Sequence, residues 1–375
     1  MRIVIVGAPF APCPPAPSGA VNKIWCGLSS VFAERGHEVT ILCRKHETQE
    51  SDEILHGVRY MRRTQLRRTN NITLDLIKDL FYAARMTSLL PKSDICVTNS
   101  FWLPILASRF RKNIGKIVVA AHRYPKGQMW LYSRCDRLAP PSKAVGVAIA
   151  HQTPKVAHLL KVISNPIDTH VFVPPTVIRS FTGTQTILYT GRINPEKGLH
   201  ILMGAFLLLY SKFPNLKLRF IGPWKKEEGG GGLTYLNGLR EKASGLPVEF
   251  PGGIANPRDL AQELQEAHYY CYPSVAAKGE ACPVAPLEAM ATGLVPVVSR
   301  IDQFRDYIEG GKTGYFFDHD SDRPDRALAD TLARLITSRS TTEKMSVQAA
   351  RKAAEFSYEN IADAYLEDWK SLCSK

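Results

Sequence analysis

The chain has 375 residues, of which 45% are hydrophobic and 22% charged, and this favours a globular protein of two ordinary domains. No apolar run reaches the roughly 20 residues of a bilayer-spanning helix. The N-terminal run is too short for a signal peptide, so residues 2–7 are predicted to form a strand. The eight cysteines are scattered without a Cys-x-x-Cys pair, which argues against structural zinc and indicates a reducing cytoplasm.

The net charge of +13 lies entirely in the first half of the chain. Residues 1–175 contain 24 Lys and Arg against 11 Asp and Glu, whereas the remaining residues contain 24 of each kind. The excess is either a solvated face or a surface for an anionic partner, such as membrane phospholipid, a lipid-linked phosphate or a polyanionic glycan. Nucleic acid is not expected, because no nucleic-acid-binding motif accompanies the charge.

The first half alternates apolar runs with amphipathic segments, which is typical of a parallel sheet covered by helices. Strands are predicted at residues 2–7, 38–43, 94–99, 116–121, 145–150 and 162–164, and helices at 20–35, 74–90, 103–111 and 154–161. The loop after the first strand contains five prolines and Gly19. It lacks the Gly-x-Gly-x-x-Gly pattern, which disfavours a dinucleotide dehydrogenase. Gly19 either brings the backbone close to a phosphate or only shapes the turn.

Two later strand ends carry polar residues. Asn99 and Ser100 follow one strand, and His122 and Arg123 follow the next. A single His at such a place is usually a structural hydrogen-bonding group. The Pro-rich and polar residues up to 186 predict an interdomain linker, with a boundary near residue 175.

The second half repeats the alternation. Strands are predicted at residues 186–190, 216–222, 248–253, 268–274 and 295–299, and helices at 199–212, 325–337, 342–355 and 358–371. The first strand leads into GRINPEKG, in which Arg192 and Lys197 precede a helix. Two cations beside free helix-end amides suit a diphosphate, although alone the segment would be an ordinary surface loop.

The stretch EACPVAPLEAMATG contains Glu280 and Glu288 with seven residues between them. Pro286 suits the first turn of a helix, and a carboxylate there also has a plain electrostatic explanation. The stretch resembles the signature of the retaining glycosyltransferases of family 4, the group 1 glycosyl transferases, and GRINPEKG resembles that family's second signature.

The resemblance implies the GT-B fold, an α/β architecture in which two Rossmann-like parallel-sheet domains face a cleft. The acceptor-binding domain would span residues 1–175 and the nucleotide-sugar-binding domain 176–355. A C-terminal helix in residues 356–375 would cross back to pack on the first domain.

The resemblance also implies roles for individual residues. Arg192 and Lys197 would bind the pyrophosphate, Glu280 would hold donor-sugar hydroxyls and Glu288 the ribose. The predicted catalytic residues are His122, Arg192, Lys197 and Glu280. The predicted donor-binding residues are Gly19, Arg192, Lys197, Glu280, Cys282, Pro283, Val284 and Glu288, and the predicted acceptor-side residues are Asn99, Ser100 and Arg123. The family often has Phe-Gly where this chain has Cys282 and Pro283, which leaves the donor preference open.

The predicted function is that of a hexosyltransferase that uses a nucleoside-diphosphate sugar, with UDP favoured over GDP, and retains the anomeric configuration. The acceptor would be a glycan, a lipid-linked molecule or a small molecule in polysaccharide or glycolipid biosynthesis. No metal or other cofactor is expected, and the enzyme would be cytoplasmic, with peripheral contact at the inner membrane face. The alternatives are a nucleotide-sugar epimerase or phosphorylase on the same fold, or a non-catalytic protein that binds nucleotide sugars or anionic glycans.

Overall fold

The computed structural model describes residues 1–13, 20–64, 66–69, 71–110, 113–177 and 179–374. The chain divides into two compact units. The first comprises Met1–Pro166 together with Tyr358–Lys375, and the second comprises Ile167–Ser357. The division after Pro166 thus lies slightly before the boundary near residue 175 that the linker composition suggested.

In the described residues of the first unit, seven strands form one sheet flanked by helices. The strands are β1 (Arg2–Val6), β2 (Glu38–Arg44), β3 (Asp52–Leu55), β4 (Val58–Arg63), β5 (Ile95–Thr98), β6 (Lys116–Ala120) and β7 (Arg137–Ala139). The helices of this part are α1 (Ala20–Glu34), α2 (Ile72–Leu89), α3 (Leu103–Phe110) and α4 (Lys143–Gln152). The sheet order is β3-β4-β2-β1-β5-β6-β7, and neighbouring strands pair in parallel except for the antiparallel pair β3–β4.

Three predictions for this unit were wrong in detail. Residues 145–150 form part of α4 rather than a strand, because Ser142 caps a helix there by accepting a hydrogen bond of 3.3 Å from Val145 N. Residues 162–164 are outside any strand, and the helix predicted at 154–161 is a 3₁₀ helix over Pro154–Leu159. Strands β3, β4 and β7 were not predicted.

The second unit repeats the architecture in its described residues. Its strands are β8 (Gln185–Thr190), β9 (Leu216–Ile221), β10 (Val248–Gly252), β11 (Tyr269–Tyr272), β12 (Pro296–Ser299) and β13 (Tyr315–Phe317). Its helices are α5 (Leu199–Tyr210), α6 (Gly232–Lys242), α7 (Pro257–Glu266), α8 (Ala285–Ala291), α9 (Pro324–Thr337) and α10 (Arg339–Ala354). All six strands are parallel, in the order β10-β9-β8-β11-β12-β13. This is the Rossmann order, in which the strand order reverses between the neighbouring strands β8 and β11.

The last helix, α11 (Tyr358–Cys373), belongs to the first unit although it follows the second in sequence. Trp369 of α11 is fully buried, with its ring 5.2 Å from the ring of Phe32 on α1. Asp368 accepts two hydrogen bonds, of 2.8 and 2.9 Å, from Arg137 at the start of β7. The predicted fold class is therefore confirmed, including the helix that returns to the first domain.

Along the described ranges, none of the helices combines the length and apolar character needed to cross a bilayer.

Candidate active site

The two predicted signatures lie next to each other in the second unit. β8 pairs in parallel with β11, so the loops that follow these two strands leave the same edge of the sheet. The chain continues to β9 on one side and to β12 on the other, which makes this edge the switch point of the sheet. Ligands of open α/β sheets bind outside the carboxyl ends of the strands at such a point.

Lys197 and Glu280 form a buried ion pair at this edge, through direct contact between Nζ and Oε1. The hydroxyl of Tyr272, the last residue of β11, donates a 3.2 Å hydrogen bond to the same carboxylate oxygen. The Lys197 ammonium also lies 5.4 Å from the centre of the Tyr272 ring. A buried charge is costly unless it is paired and hydrogen-bonded, and these contacts pair both charges.

The backbone of the loop that carries Glu280 is fixed by hydrogen bonds that do not involve Lys197. Gln303 donates from Nε2 to the carbonyl oxygens of Ala277, at 2.6 Å, and of Glu280, at 3.0 Å. The Glu280 amide in turn donates to the Ala276 carbonyl at 2.9 Å. These bonds fix the backbone from which the Glu280 side chain projects, so its position does not depend on Lys197 alone.

The two loops touch through their backbones. The Val275 amide donates to the Glu196 carbonyl at 3.0 Å. Gly198 has a φ of 67°, and a Cβ added there would lie 2.0 Å from the carbonyl oxygen of Pro273. Only glycine tolerates both the left-handed conformation and this approach. The sequence places glycine directly after Lys197 because the two loops pack this closely.

Arg192 is half-exposed and is oriented by two contacts. Its guanidinium donates to Glu196 Oε1 at 3.0 Å and to the Gly229 carbonyl at 3.1 Å. Asn194 Nδ2 donates to the same two oxygens, each at 3.2 Å. The guanidinium is thus positioned before any ligand arrives, while part of it stays accessible to an anion.

The remaining predicted donor-binding residues lie around the start of α8. Cys282 is buried, and the Pro283 carbonyl accepts a 2.8 Å hydrogen bond from the hydroxyl of Tyr307. Val284 is half-buried, and its carbonyl accepts a 2.9 Å hydrogen bond from the Glu288 amide. Glu288 is half-buried in the first turn of α8. The predicted residue Gly19 lies outside the described residues.

In the first unit, the predicted residues Asn99 and His122 share one hydrogen-bond donor. Trp25 Nε1, from α1, lies 3.1 Å from both Asn99 Oδ1 and His122 Nε2. Because an indole N–H only donates, His122 Nε2 accepts, and the neutral ring carries its proton on Nδ1. Burial lowers the pKa of His122 to about 4, despite an opposing hydrogen bond with Asn165. His122 is therefore neutral at pH 7 and has its acceptor nitrogen occupied.

Ser100 has a structural position. Its hydroxyl donates to Asp79 Oδ1 at 2.8 Å and accepts from the Leu103 amide at 3.3 Å, which caps α3. Asp79 also accepts from the amides of Phe101 and Trp102, at 2.9 and 3.2 Å. Burial raises the pKa of Asp79, and these three hydrogen bonds oppose the rise. The hydroxyl of Ser100 is thus engaged in holding the start of α3.

Arg123, the other predicted acceptor-side residue, is exposed just beyond β6. Within the described ranges, no group of three or more His, Cys, Asp or Glu side chains is arranged to hold a metal ion.

Two family models match the chain one after the other. The model described as Glycosyltransferase Family 4 matches residues 21–171, and the model described as Glycosyl transferases group 1 matches residues 176–353. The chain belongs to the group 1 glycosyltransferases. The prediction of a nucleotide-sugar-dependent glycosyltransferase is thereby confirmed at the level of the family.

Two curated proteins are similar to this chain in sequence. The D-inositol 3-phosphate glycosyltransferase of Corynebacterium urealyticum is 29% identical over 50% of this chain and 43% of that protein. Spore coat protein SA of Bacillus subtilis is 23% identical over 98% of both chains. The chain thus spans less than half of the first relative and nearly all of the second.

Solved structures support the same GT-B architecture. Sucrose-phosphate synthase from Thermosynechococcus elongatus superposes with a TM-score of 0.78 at 18% identity, over 100% of this chain and 99% of that one. HepE from Anabaena, in complex with UDP, superposes with a TM-score of 0.77 at 18% identity, over 99% and 100% of the two chains. At these identities, the likeness establishes the fold of the glycosyltransferase and not its substrates.

Sequence reasoning found the charged pair of this glycosyltransferase but missed the aromatic and amide groups around it. Tyr272 and Gln303 were not singled out, since a Tyr at a strand end and a Gln in a turn carry no distinctive pattern. Trp25 and Asp79 were missed for a similar reason, because each lies on an amphipathic helix, 97 residues from His122 and 21 from Ser100 respectively.

Proposed function

We propose that the protein transfers a sugar from a nucleoside-diphosphate sugar to an acceptor with retention of the anomeric configuration. The observation that carries the proposal is the buried Lys197–Glu280 pair at the switch point of the second unit. It places a cation and a carboxylate side by side where a ligand would meet the strand ends. A diphosphate needs the first group and sugar hydroxyls suit the second.

Lys197 and Arg192 would stabilise the charge that develops on the departing diphosphate. As the bond between the anomeric carbon and the phosphate oxygen breaks, negative charge accumulates on the diphosphate. The buried ammonium and the oriented guanidinium supply positive charge there. Glu280 would accept hydrogen bonds from donor-sugar hydroxyls, and Glu288 would bind the ribose.

Retention is proposed through attack on the face that the diphosphate leaves. The acceptor oxygen forms the new bond to the anomeric carbon, and its proton passes to the leaving phosphate oxygen. His122 of the first unit does not suit the role of the base that takes this proton, because its Nε2 already accepts from Trp25 and burial lowers the pKa of its ring to about 4.

The donor is proposed to be a UDP sugar, and the acceptor a glycan, a lipid-linked molecule or a small molecule. The solved structure of HepE in complex with UDP supports the choice of base. The name of the Corynebacterium relative includes a phosphorylated acceptor, which would suit a first unit whose charged residues are mostly basic.

The proposal is tested by thermal stabilisation of the full chain with UDP, GDP and ADP, alone and as their sugars. A ligand at about 100-fold its dissociation constant adds roughly 2.7 kcal/mol to the stability. We expect a selective shift with one base, and we expect Lys197→Ala to reduce it by at least about half, while Lys312→Ala, at an exposed lysine of the same unit, leaves it intact. No shift with any nucleotide would rule out a donor site at this edge.

Binding and catalysis are separated by a second measurement. The nucleotide sugar that stabilises the protein is incubated with candidate acceptors, and release of the free nucleoside diphosphate is followed. Stabilisation without release, across lipid-linked and soluble acceptors, would instead support the non-catalytic binding protein.

A further inference from the structure

The two oxygens of the Glu280 carboxylate have different surroundings. Oε1 contacts the Lys197 ammonium and also accepts the hydrogen bond from the Tyr272 hydroxyl. The other oxygen, Oε2, has no hydrogen-bond partner among the described residues, and it is not fully enclosed. The carboxylate therefore has one occupied oxygen and one that can accept a hydrogen bond from a ligand.

Aromatic neighbours fix the ring of Tyr272. It stacks on the ring of Tyr189, with the ring centres 5.6 Å apart and the planes inclined by 22°. The ring of Phe304 lies 5.9 Å away, at 79° to that of Tyr272. All three side chains are buried, and the Tyr189 hydroxyl donates to the Arg192 carbonyl at 2.8 Å. The Tyr272 hydroxyl thus has a fixed direction, and so has the oxygen that it meets.

Packing alone does not require a hydroxyl group on Tyr272. A phenylalanine ring would make the same aromatic contacts, whereas a buried hydroxyl costs free energy unless it is hydrogen-bonded. In the described part of the chain, Glu280 is the only hydrogen-bond partner of this hydroxyl. Burial raises the pKa of Tyr272, and the charge of Glu280 raises it further. The hydroxyl therefore stays protonated and remains a donor to the carboxylate.

We propose that Tyr272 is a positioning residue that determines which donor sugars the site accepts. By holding Oε1 together with Lys197, its hydroxyl fixes the direction in which Oε2 of Glu280 meets a hydroxyl of the donor sugar. A site built around such a hydrogen bond rejects a sugar whose hydroxyl is missing or points elsewhere, because a buried polar group is then left unpaired. This inference rests on the proposed function and adds that Tyr272 sets the sugar selectivity by acting through Glu280.

Removing the hydroxyl leaves Lys197 as the one side chain that holds the Glu280 carboxylate. Both carboxylate oxygens accept hydrogen bonds equally well, so the group can turn and present either oxygen to the ammonium. The position of the oxygen that faces the sugar is then no longer defined. The cations at Lys197 and Arg192 stay in place, so the substitution affects recognition of the sugar and not that of the diphosphate.

The test compares the wild type with Tyr272→Phe by isothermal titration calorimetry of the full chain with UDP, UDP-glucose and UDP-galactose. The two hexoses differ only in the configuration at one ring carbon, so the ratio of their dissociation constants measures discrimination between sugars. Their N-acetylamino forms replace them if those bind the wild type more tightly. We expect Tyr272→Phe to lower this ratio at least about fivefold and to change the affinity for UDP by less than about twofold.

Tyr269→Phe is the matched control. Tyr269 lies on the same strand, β11, and is buried like Tyr272. Its hydroxyl donates to Gln185 Oε1 at 2.6 Å and not to a residue of the donor site. Loss of this hydroxyl should lower the melting temperature, as in Tyr272→Phe, while the discrimination between the two hexoses keeps its wild-type value.

Two results would overturn the role of Tyr272 while leaving the proposed function intact. One is wild-type discrimination in Tyr272→Phe, since the hydroxyl would then serve only the fold. The other is an equal loss of affinity for UDP and for both UDP sugars, which would show general damage to the site. A wild type that binds none of these ligands would instead refute the proposed donor site, and this inference with it.

Discussion

Glu280→Gln tests whether the buried Lys197–Glu280 pair holds together the two loops that follow β8 and β11, which we call the donor loops. The side chains of Lys197 and Glu280 are only 5% and 6% exposed, so the substitution leaves a buried ammonium without its counter-charge. Loss of one partner from such a pair costs about 3–5 kcal/mol. Glutamine keeps an oxygen that accepts from both Lys197 and Tyr272, so we expect a loss near the lower end, about 3 kcal/mol.

The measurement is differential scanning calorimetry of the full chain, and the quantity compared is the melting temperature of the transition that the substitution alters. For a unit of this size, 1 kcal/mol corresponds to about 2–4 °C, so Glu280→Gln should lower the melting temperature of that transition by roughly 6–12 °C. Saturating UDP should restore more stability in the variant than in the wild type, because the diphosphate then supplies the missing negative charge.

A double-mutant cycle isolates the pair. Lys197→Met combined with Glu280→Gln removes the charge on both sides and should be more stable than the sum of the single changes predicts, with a coupling of about 2 kcal/mol. The exposed pair Lys312–Glu309 of the same unit, 2.7 Å apart, is the control and should show no measurable coupling. Additive effects at Lys197 and Glu280 would refute the reasoning.

Three further predictions concern nucleotide binding, the titration of His122 and the backbone at Gly198. Lys197→Ala and Glu288→Ala should each weaken nucleotide binding at least about tenfold by calorimetric titration, and unchanged affinity in either variant would remove that residue from the site. The imidazole of His122 should titrate in NMR with a pKa near 4. Because its unfolded pKa is about 6.5, His122 should lower stability as the pH falls from 6.5 toward 4; a midpoint near 6.5 would contradict the burial argument. Gly198→Ala should lower stability by at least about 2 kcal/mol in denaturant titration, since the new Cβ meets the Pro273 carbonyl. Gly238→Ala, in the interior of α6 with no atom within 4 Å of the new Cβ, should instead raise stability by up to about 1 kcal/mol.

The alternation of strands and helices was predictable because parallel strands are continuous apolar runs with clear boundaries. Short apolar runs within helices defeat the same reasoning. Residues 145–150 contain five Val, Ile or Ala residues and one Gly, and only the cap at Ser142 distinguishes this helix from a strand. Such a run has no periodicity that separates the two structures.

Strand β4 was missed for the opposite reason, because its sequence VRYMRR carries three arginines. Arg62 is completely buried and forms an ion pair with Glu53 on β3, while its guanidinium lies 4.7 Å from the centre of the Tyr60 ring. The sequence pattern does not show that Arg62 faces inward, because its partner Glu53 lies on the neighbouring strand. Arg62 therefore does not contribute to the basic surface that the sequence suggested.

In the candidate site, the signatures located Arg192, Lys197, Glu280 and Glu288, but not the contacts among them. Lys197 and Glu280 are 83 residues apart, and their direct pairing depends on β8 and β11 being neighbours. Sequence order alone leaves that adjacency open. The acceptor-side role of Ser100 stays a prediction, and its hydrogen bond to Asp79 was likewise hidden in the sequence because Asp79 lies on a separate helix.

The backbone contact between the two donor loops has a consequence for altering donor preference. The Val275 amide bonds to the Glu196 carbonyl, and the space between Gly198 and Pro273 is too small for a methyl group. An insertion or deletion in either loop therefore displaces the other, and the cation and the carboxylate move together. Grafting one loop from another glycosyltransferase should therefore disrupt the ion pair, whereas grafting both loops together should preserve it. The two loops have to be exchanged as a pair when donor preference is redesigned.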